Sequence, residues 1–298
     1  PDIGAEAGGT GAGASAGAGG PRAGRRLRLI GGLDISFFSD GGHPADDRAC
    51  AALIVCELNE RADDMAVVWK DFMLIRMTEP YVAGFLAFRE APHYCAMLQR
   101  LAAERPDLVP DVVLVDGNGV LHPRGFGVAS HVGVLSGHCT VGVAKNLHMV
   151  DGLDRNDARD RCLAAVAAGD GADLGASLPL IGRSGRTWGA ALLPRPRKPV
   201  GPKRANLAPK NPIFVSVGHR ISLESSVHVV RLCLLSARVP EPVRLADVLS
   251  REQVRLVRDK EPAYAGASQG AHAVSPRTAL VALSVSVMLA VAGLLLAR

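Results

Sequence analysis

The chain lacks any Cys-x-x-Cys pair, although six cysteines (Cys50, Cys56, Cys95, Cys139, Cys162 and Cys233) are spread along its 298 residues. That spacing excludes a zinc ribbon and offers no disulfide framework, so the six read as buried thiols in a reducing compartment. None of the nine histidines falls in a His-Glu-x-x-His pattern or a cluster, which excludes a histidine-held metal centre of that kind. No apolar segment follows a charged start, so no secretory signal peptide is read. Charge of one sign does not dominate either. The formal net charge is +5, with positive residues crowded at 22–28 and 195–210. Such runs suit contact with a polyanion, and they equally describe solvated loops.

What the chain does have is apolar material, 48% of residues, enough for one large or two small domains. Residues 1–26 are Gly/Ala-rich and aperiodic, which predicts a disordered tail. The absent initiator Met suggests a processed or incomplete N-terminus. Apolar runs at 27–38, 49–58 and 66–77 predict three strands in an antiparallel meander. A helical pattern opens at Pro92 and runs to Ala103. A strand at Val112–Val115, a helix over Phe126–Leu135 and a strand over Thr140–Ala144 follow. The order β-β-β-α-β-α-β is that of a mixed α/β sheet and resembles ribonuclease H-like folds.

Residues 153–180 read as only weakly helical. Further strands are expected at 187–193 and 213–217, with a Pro-rich basic loop at 194–212 between them. Helices are expected at 222–235 and 245–257. These elements make one domain over 27–258, a polar linker over 259–277 and an apolar tail over 278–298. Thr278–Ala297 carries no charge, and about twenty apolar residues suffice to span a bilayer. A membrane anchor, a helix packed on the domain and an atypical chain end all satisfy that pattern.

The chemistry is concentrated around carboxylates in apolar surroundings. The run Val112–Val115 leads directly into Asp116-Gly117-Asn118-Gly119, at the strand end where ligands collect in helix-flanked sheets. The tetrapeptide is either a plain Asp-Gly turn or a place where Asp116 holds a cation beside close-approaching backbone. Asp34 interrupts the first strand, where Asp is disfavoured unless it faces water at an edge. Two carboxylates brought together repel unless a cation or proton lies between them, and hard oxygen donors favour Mg²⁺, with Mn²⁺ as substitute. Glu90, just before Pro92, is explained by a helix N-terminus or as a third acidic group on the same ions.

Five segments then carry a resemblance: GGLDISF (31–37), PYVAGFLAFRE (80–90), LVDGNGVLHPRGFGVASHVGVL (114–135), VGVAKN (141–146) and SVGHRISL (216–223). In this order they are similar to the motifs of the endonuclease V family, nearest its animal members, over about Gly31 to Arg255. The resemblance implies a metal-dependent nuclease directed at inosine. It would cut the second phosphodiester on the 3′ side and leave 3′-hydroxyl and 5′-phosphate ends. Single-stranded RNA is the implied substrate, with deoxyinosine DNA as the alternative.

By the same resemblance Asp34, Asp116 and Glu90 match the metal-binding carboxylates, and Lys145 a lysine near the scissile phosphate. His219 matches an active-site histidine, Tyr81 the wedge that fills the gap left by the extracted base, and His122 a residue near the substrate. Gly84, Leu86, Gly117 and Gly127 match positions lining the base pocket. For Tyr81 and both histidines, ordinary packing explains the residues equally well when they are taken alone.

A monomer without a small-molecule cofactor, in cytoplasm and nucleus or nucleolus, is further expected, and apart from the resemblance the apolar tail 278–298 is a candidate membrane contact. This chain departs from the family's usual pattern in four places. A Gly/Ala tract stands in place of an N-terminal helix, and Asn146 in place of a second lysine. The basic loop is long, and an apolar tail is appended. A protein that binds inosine without cutting is the reading from a different class, against which the intact acidic trio argues.

Overall fold

A computed structural model of the chain describes residues 26–38, 47–80, 82, 84–169, 176–194 and 211–260. Its strands are β1 (Leu29–Phe37), β2 (Arg48–Leu58), β3 (Met65–Arg76), β4 (Val112–Asp116), β5 (Thr140–Ala144), β6 (Ser177–Ile181), β7 (Thr187–Leu192) and β8 (Ile213–His219). Its helices are α1 (Leu86–Glu104), α2 (Val128–Ser136), α3 (Arg155–Ala167), α4 (Leu223–Leu232) and α5 (Glu241–Lys260). The strands form one mixed sheet in the order β3-β2-β1-β4-β5-β8-β7-β6. This is the ribonuclease H-like arrangement expected from the order of elements.

β1 and β2 are buried along almost their whole length, because α1 covers one of their faces and α5 the other. Strands in that position read as continuous apolar runs without alternation. β1 pairs antiparallel with β2 and parallel with β4, from Ile30↔Val112 to Leu33↔Val115. β4 in turn pairs parallel with β5. The C-terminal ends of β1, β4 and β5 therefore meet at one edge of the sheet.

On one face, Leu29, Leu33 and Ile35 pack with Tyr94, Met97, Leu98 and Leu101 of α1 and with Val132 of α2. On the other, Ile30, Leu114, Val141 and Val143 meet Val227 and Val230 of α4 and Val243 of α5. Contact with α5 is very close. A methyl group at Gly32 would lie 2.2 Å from the Pro242 carbonyl carbon, so only glycine lets the helix start rest on β1. Further along, the Ser36 and Ser250 hydroxyls bond at 2.6 Å and tie the same two elements together.

Three local expectations change. α1 starts at Leu86 rather than at Pro92, and Pro92 lies inside it. Pro92 is exposed, and the buried stripe Ala87, Ala91, Tyr94, Leu98, Leu101 continues through it; that burial outweighs the lost backbone bond. The stretch read as weakly helical contains a full helix, α3, whose Asp154 caps it by accepting from the N–H groups of Asn156 and Asp157. It also contains β6, whose Pro179 is tolerated because β6 is the last strand of the sheet.

All six cysteines are free and buried, and burial pushes the Cys56 thiol up to about 12. No helix among the described residues is long and apolar enough to cross a membrane. The Gly/Ala tract 1–25, the basic loop 195–210 and the apolar tail 278–298 lie outside the described residues.

Candidate active site

Asp34 and Asp116 each stand one residue beyond the last β1–β4 partner pair, Leu33↔Val115, and so sit side by side at the sheet edge. Alternation along both strands turns them toward the face that α5 covers. Asp34 is buried, at 8% exposure. Burial first, then the charges of Asp116 and Asp247, hold its carboxyl well above the usual carboxylate range, against the pull of Lys145.

Lys145 directly follows β5. Its ammonium lies 2.9 Å from Asp116 Oδ2 and 3.8 Å from Asp247 Oδ2. Burial alone would lower the Lys145 pKa, but Asp116, Asp247 and Asp34 outweigh it and raise it. Asp247, from α5, also takes Arg251 Nη2 at 2.7 Å.

Glu90 approaches from α1. Burial, then Asp116, pushes its carboxyl up to about 7 against the pull of Arg89. It stands on the fifth residue of the helix, so the helix-start explanation does not apply to it. The phenol of Tyr94, fully buried between the layers, is raised first by burial and then by Glu90, Asp34 and Asp116. One point in the core thus feels all three carboxylates. An open cleft of about 510 Å³ is lined by Asp34, Asp116, Lys145 and Asp247, with Arg251, Arg255 and Arg258 of α5 along its rim. It has an acidic floor and a basic edge.

Among the described residues, no three His, Cys, Asp or Glu side chains stand close enough together to hold one ion. The Lys145 ammonium lies between Asp116 and Asp247 instead. The donor chemistry nonetheless fits a hard divalent cation: carboxylate oxygens only, crowded enough to raise one another's proton affinity.

Beside the acidic floor, two loops meet. Gly127 donates to the Gly119 carbonyl at 2.8 Å, and a methyl at Gly127 would lie 2.3 Å from the Asn118 carbonyl oxygen. With Gly117 against Val128, this presses the turn after Asp116 onto the start of α2. Gly84 lies beside His122, which is buried and packs on His148 with ring centroids 5.5 Å apart, and Leu86 opens α1 two residues later. Arg124 donates to the Gly84 carbonyl and lies 3.5 Å over the Phe85 ring. Gly84, Phe85, His122 and Arg124 therefore belong to one loop cluster, with Leu86 next in the chain at the start of α1 and the turn held by Gly117 and Gly127 adjoining. Tyr81 lies outside the described residues.

His219 does not join the acidic residues. β8 runs antiparallel to β5 with His219 opposite Thr140, so His219 lies at the far end of β5 from Lys145 and packs against Gly133. Its assignment to the active site is corrected on that ground.

Asp247 is not singled out by the sequence, where it is one charged residue among many on the helix expected at 245–257. A signal was available: Val243, Ala246, Ser250 and Val254 form the buried stripe of α5, and Asp247 shares that side. Arg124 and His131 were also missed. His131 is ringed by Phe88 and Phe126 and is pushed down to about 4, chiefly by burial.

Over residues 20–248 the sequence matches the family model described as Endonuclease V. The chain belongs to the endonuclease V family. Mouse endonuclease V is 44% identical over 229 residues, covering 77% of this chain and 60% of the mouse protein, so this chain spans less than two thirds of that relative. The crystal structure of the catalytic domain of human endonuclease V superposes with a TM-score of 0.65 at 42% identity, covering 78% of this chain and 85% of that one. Endonuclease V of Ciona intestinalis, in complex with a 24mer DNA containing an inosine followed by a ribo-adenosine, gives a TM-score of 0.65 at 32% identity. It covers 78% and 88% of the two chains.

Proposed function

We propose that this chain is a metal-dependent endonuclease for inosine-containing single-stranded RNA. It cuts the second phosphodiester 3′ to inosine and leaves 3′-hydroxyl and 5′-phosphate ends. The observation that carries this reading is the convergence of Asp34, Asp116, Asp247 and Lys145 on one cleft at the strand ends, with Glu90 opposite, in a chain of this family. The Ciona complex supports inosine as the base recognised, with a ribonucleotide after it. The catalytic domain is assigned to 27–258, a reading supported by a compact unit that ends at Arg258.

Asp34, Asp116 and Glu90, joined by Asp247, are the residues that would hold Mg²⁺ or Mn²⁺. Such ions, when bound, supply an activated water and charge neutralisation at the phosphate. Lys145 is placed to hold a non-bridging phosphate oxygen and to stabilise charge developing there. Burial, then His148 and Arg124, lowers the pKa of His122, so a neutral ring offers one donor and one acceptor beside the base. Backbone at Gly84–Leu86 and Gly117–Gly127 excludes the exocyclic amine of adenine or guanine by contact and by unmatched hydrogen bonding.

The deciding experiment compares matched inosine RNA and deoxyinosine DNA at physiological salt with Mg²⁺. Cleavage of the RNA at the stated bond is expected. A preference for DNA moves the assignment to repair of deaminated adenine, and binding without cleavage in Mg²⁺ or Mn²⁺ makes the protein an inosine reader. Lys145→Met is expected to lower single-turnover cleavage by about 10²–10³-fold. A rate within threefold of the parent would remove Lys145 from the chemistry.

Glu90 also makes a pH prediction. Its folded pKa of about 7 lies above the ordinary 4.5, so the native state binds more protons than the unfolded chain across that interval. Stability must then fall as pH rises from about 4.5 to about 7. Glu90→Gln should flatten that decline in denaturant unfolding, and an unchanged slope would contradict the burial of this carboxyl.

A further inference from the structure

Lys145 forms a wall of two clefts. Beyond it, away from the acidic floor, lies a depression of about 300 Å³ whose lining includes Met149, Arg155, Asn156, Arg159 and Asn211. We infer that this second cleft binds the sugar-phosphate backbone of the nucleic-acid strand next to the scissile phosphate, the strand passing over Lys145 from one cleft to the other. The inference rests on the nuclease reading above and names a contact surface which that reading leaves open.

Placement comes from the sheet. β8 pairs with β5 through Ala144↔Phe214, which brings Asn211 and Pro212 beside Lys145 at the same strand-end edge as Asp34 and Asp116. Arg238 fixes that junction by donating from Nη2 to the carbonyls of Lys145 (3.0 Å) and Pro212 (3.4 Å). The two clefts therefore share a braced ridge.

Charge then favours a polyanion. Arg155 and Arg159 stand four residues apart on one side of α3. Arg155 makes no hydrogen bond or ion pair among the described residues, while Arg159 has only an exposed pair with its neighbour Asp160 at 3.0 Å. A pair of that kind contributes little and yields readily to a phosphate. Arg155 also adds to the burial that lowers the Arg238 pKa, so the positive field is not cancelled locally. Asp154, the one carboxylate among the described residues of the wall, is already engaged by two backbone N–H groups at the start of α3.

Asn156 and Asn211 are exposed amides that can donate to phosphate or sugar oxygens. Met149 is 75% exposed, a flexible apolar side chain set to lie against a sugar or base. Cations, amides and one soft apolar contact are what a strand's backbone requires.

The test uses the full chain and the double variant Arg155→Gln/Arg159→Gln. Equilibrium binding without divalent ions is measured for a long single strand with central inosine and for strands trimmed stepwise from either end. The variant should bind the long strand about tenfold more weakly. Its plot of log affinity against log salt should be shallower by about 1.4, since each lost single-strand phosphate contact removes about 0.7.

Trimming from one end only should cost the parent the same affinity and leave the variant indifferent. Equal affinity and equal salt slope for parent and variant would overturn the inference, provided that matching thermal midpoints show both to be folded. The slope change is expected on any single strand. A parent with no inosine preference would therefore sink the nuclease reading while leaving the cleft standing.

Discussion

Asp116→Asn is expected to reduce cleavage of an inosine strand at least about a thousandfold while leaving its binding as tight as in the parent or tighter. Asn has nearly the same shape, so the turn into Gly117 should survive. What disappears is a negative charge that crowds both Asp34 and Glu90, beside an Asp34 that also feels Asp247. The Lys145 ammonium, now 2.9 Å from Asp116 Oδ2, loses its nearest partner. The cleft becomes more positive by one charge, which favours a polyanion even as the capacity to hold a divalent ion falls. Rate and affinity are therefore expected to move apart. Single-turnover cleavage and equilibrium binding on the same RNA measure the two quantities. Turnover within tenfold of the parent would mean that Asp116 takes no part in the chemistry.

The second large effect is on stability. A methyl group at Gly142 would lie 2.3 Å from the Gly119 nitrogen and 2.8 Å from the Gly117 carbonyl oxygen. Both are backbone atoms of the turn that follows Asp116, so no side-chain rotation relieves the clash. Gly119 is itself wedged: its N–H donates to the Ser216 hydroxyl at 2.9 Å, and a methyl there would meet the Val217 carbonyl oxygen at 1.9 Å. The turn is clamped between β5 and β8 and cannot shift without opening the sheet. Gly142→Ala should cost about 2–3 kcal/mol, the upper part of the usual range for overpacking a filled core, because the clash is with backbone. That corresponds to a thermal midpoint lower by about 4–12 °C for a domain of this size. Cleavage should fall as well, because Asp116 moves with the turn. An unchanged midpoint would show that the turn is not held as tightly as these distances imply.

Asp34 and Asp116 could be found in the sequence because each breaks or ends a continuous apolar run, and a carboxylate there needs a partner. β1, β2, β3, β4, β5, β7 and β8 were legible within two residues, and for β1, β2, β4 and β5 burial along the strand leaves the unbroken apolar signal. α1 was placed six residues late because Pro92 reads as the first turn of a helix, and the stripe from Ala87 to Leu101 that carries the helix through it acts only once packed against β1 and β2. Asp247 escaped because an acidic residue on a charged helix reads as a solvated one until the helix is known to lie over β1. Gly32 permits that approach, and nothing near Gly32 in the chain announces it. His219 shows the reverse error. Its segment fits the family motif, yet the direction of β8 carries it away from the strand ends where the acidic groups meet.

By itself the sequence determined the family, the mixed α/β sheet and the two strand carboxylates, because these depend on residue type and short-range periodicity. Only the tertiary structure decided which other side chains meet them: Lys145 and Asp247 together, Glu90 from the opposite layer, and His219 excluded. Those outcomes depend on strand direction and on how closely a helix can lie against a glycine, and both are set by contacts between residues far apart in the chain.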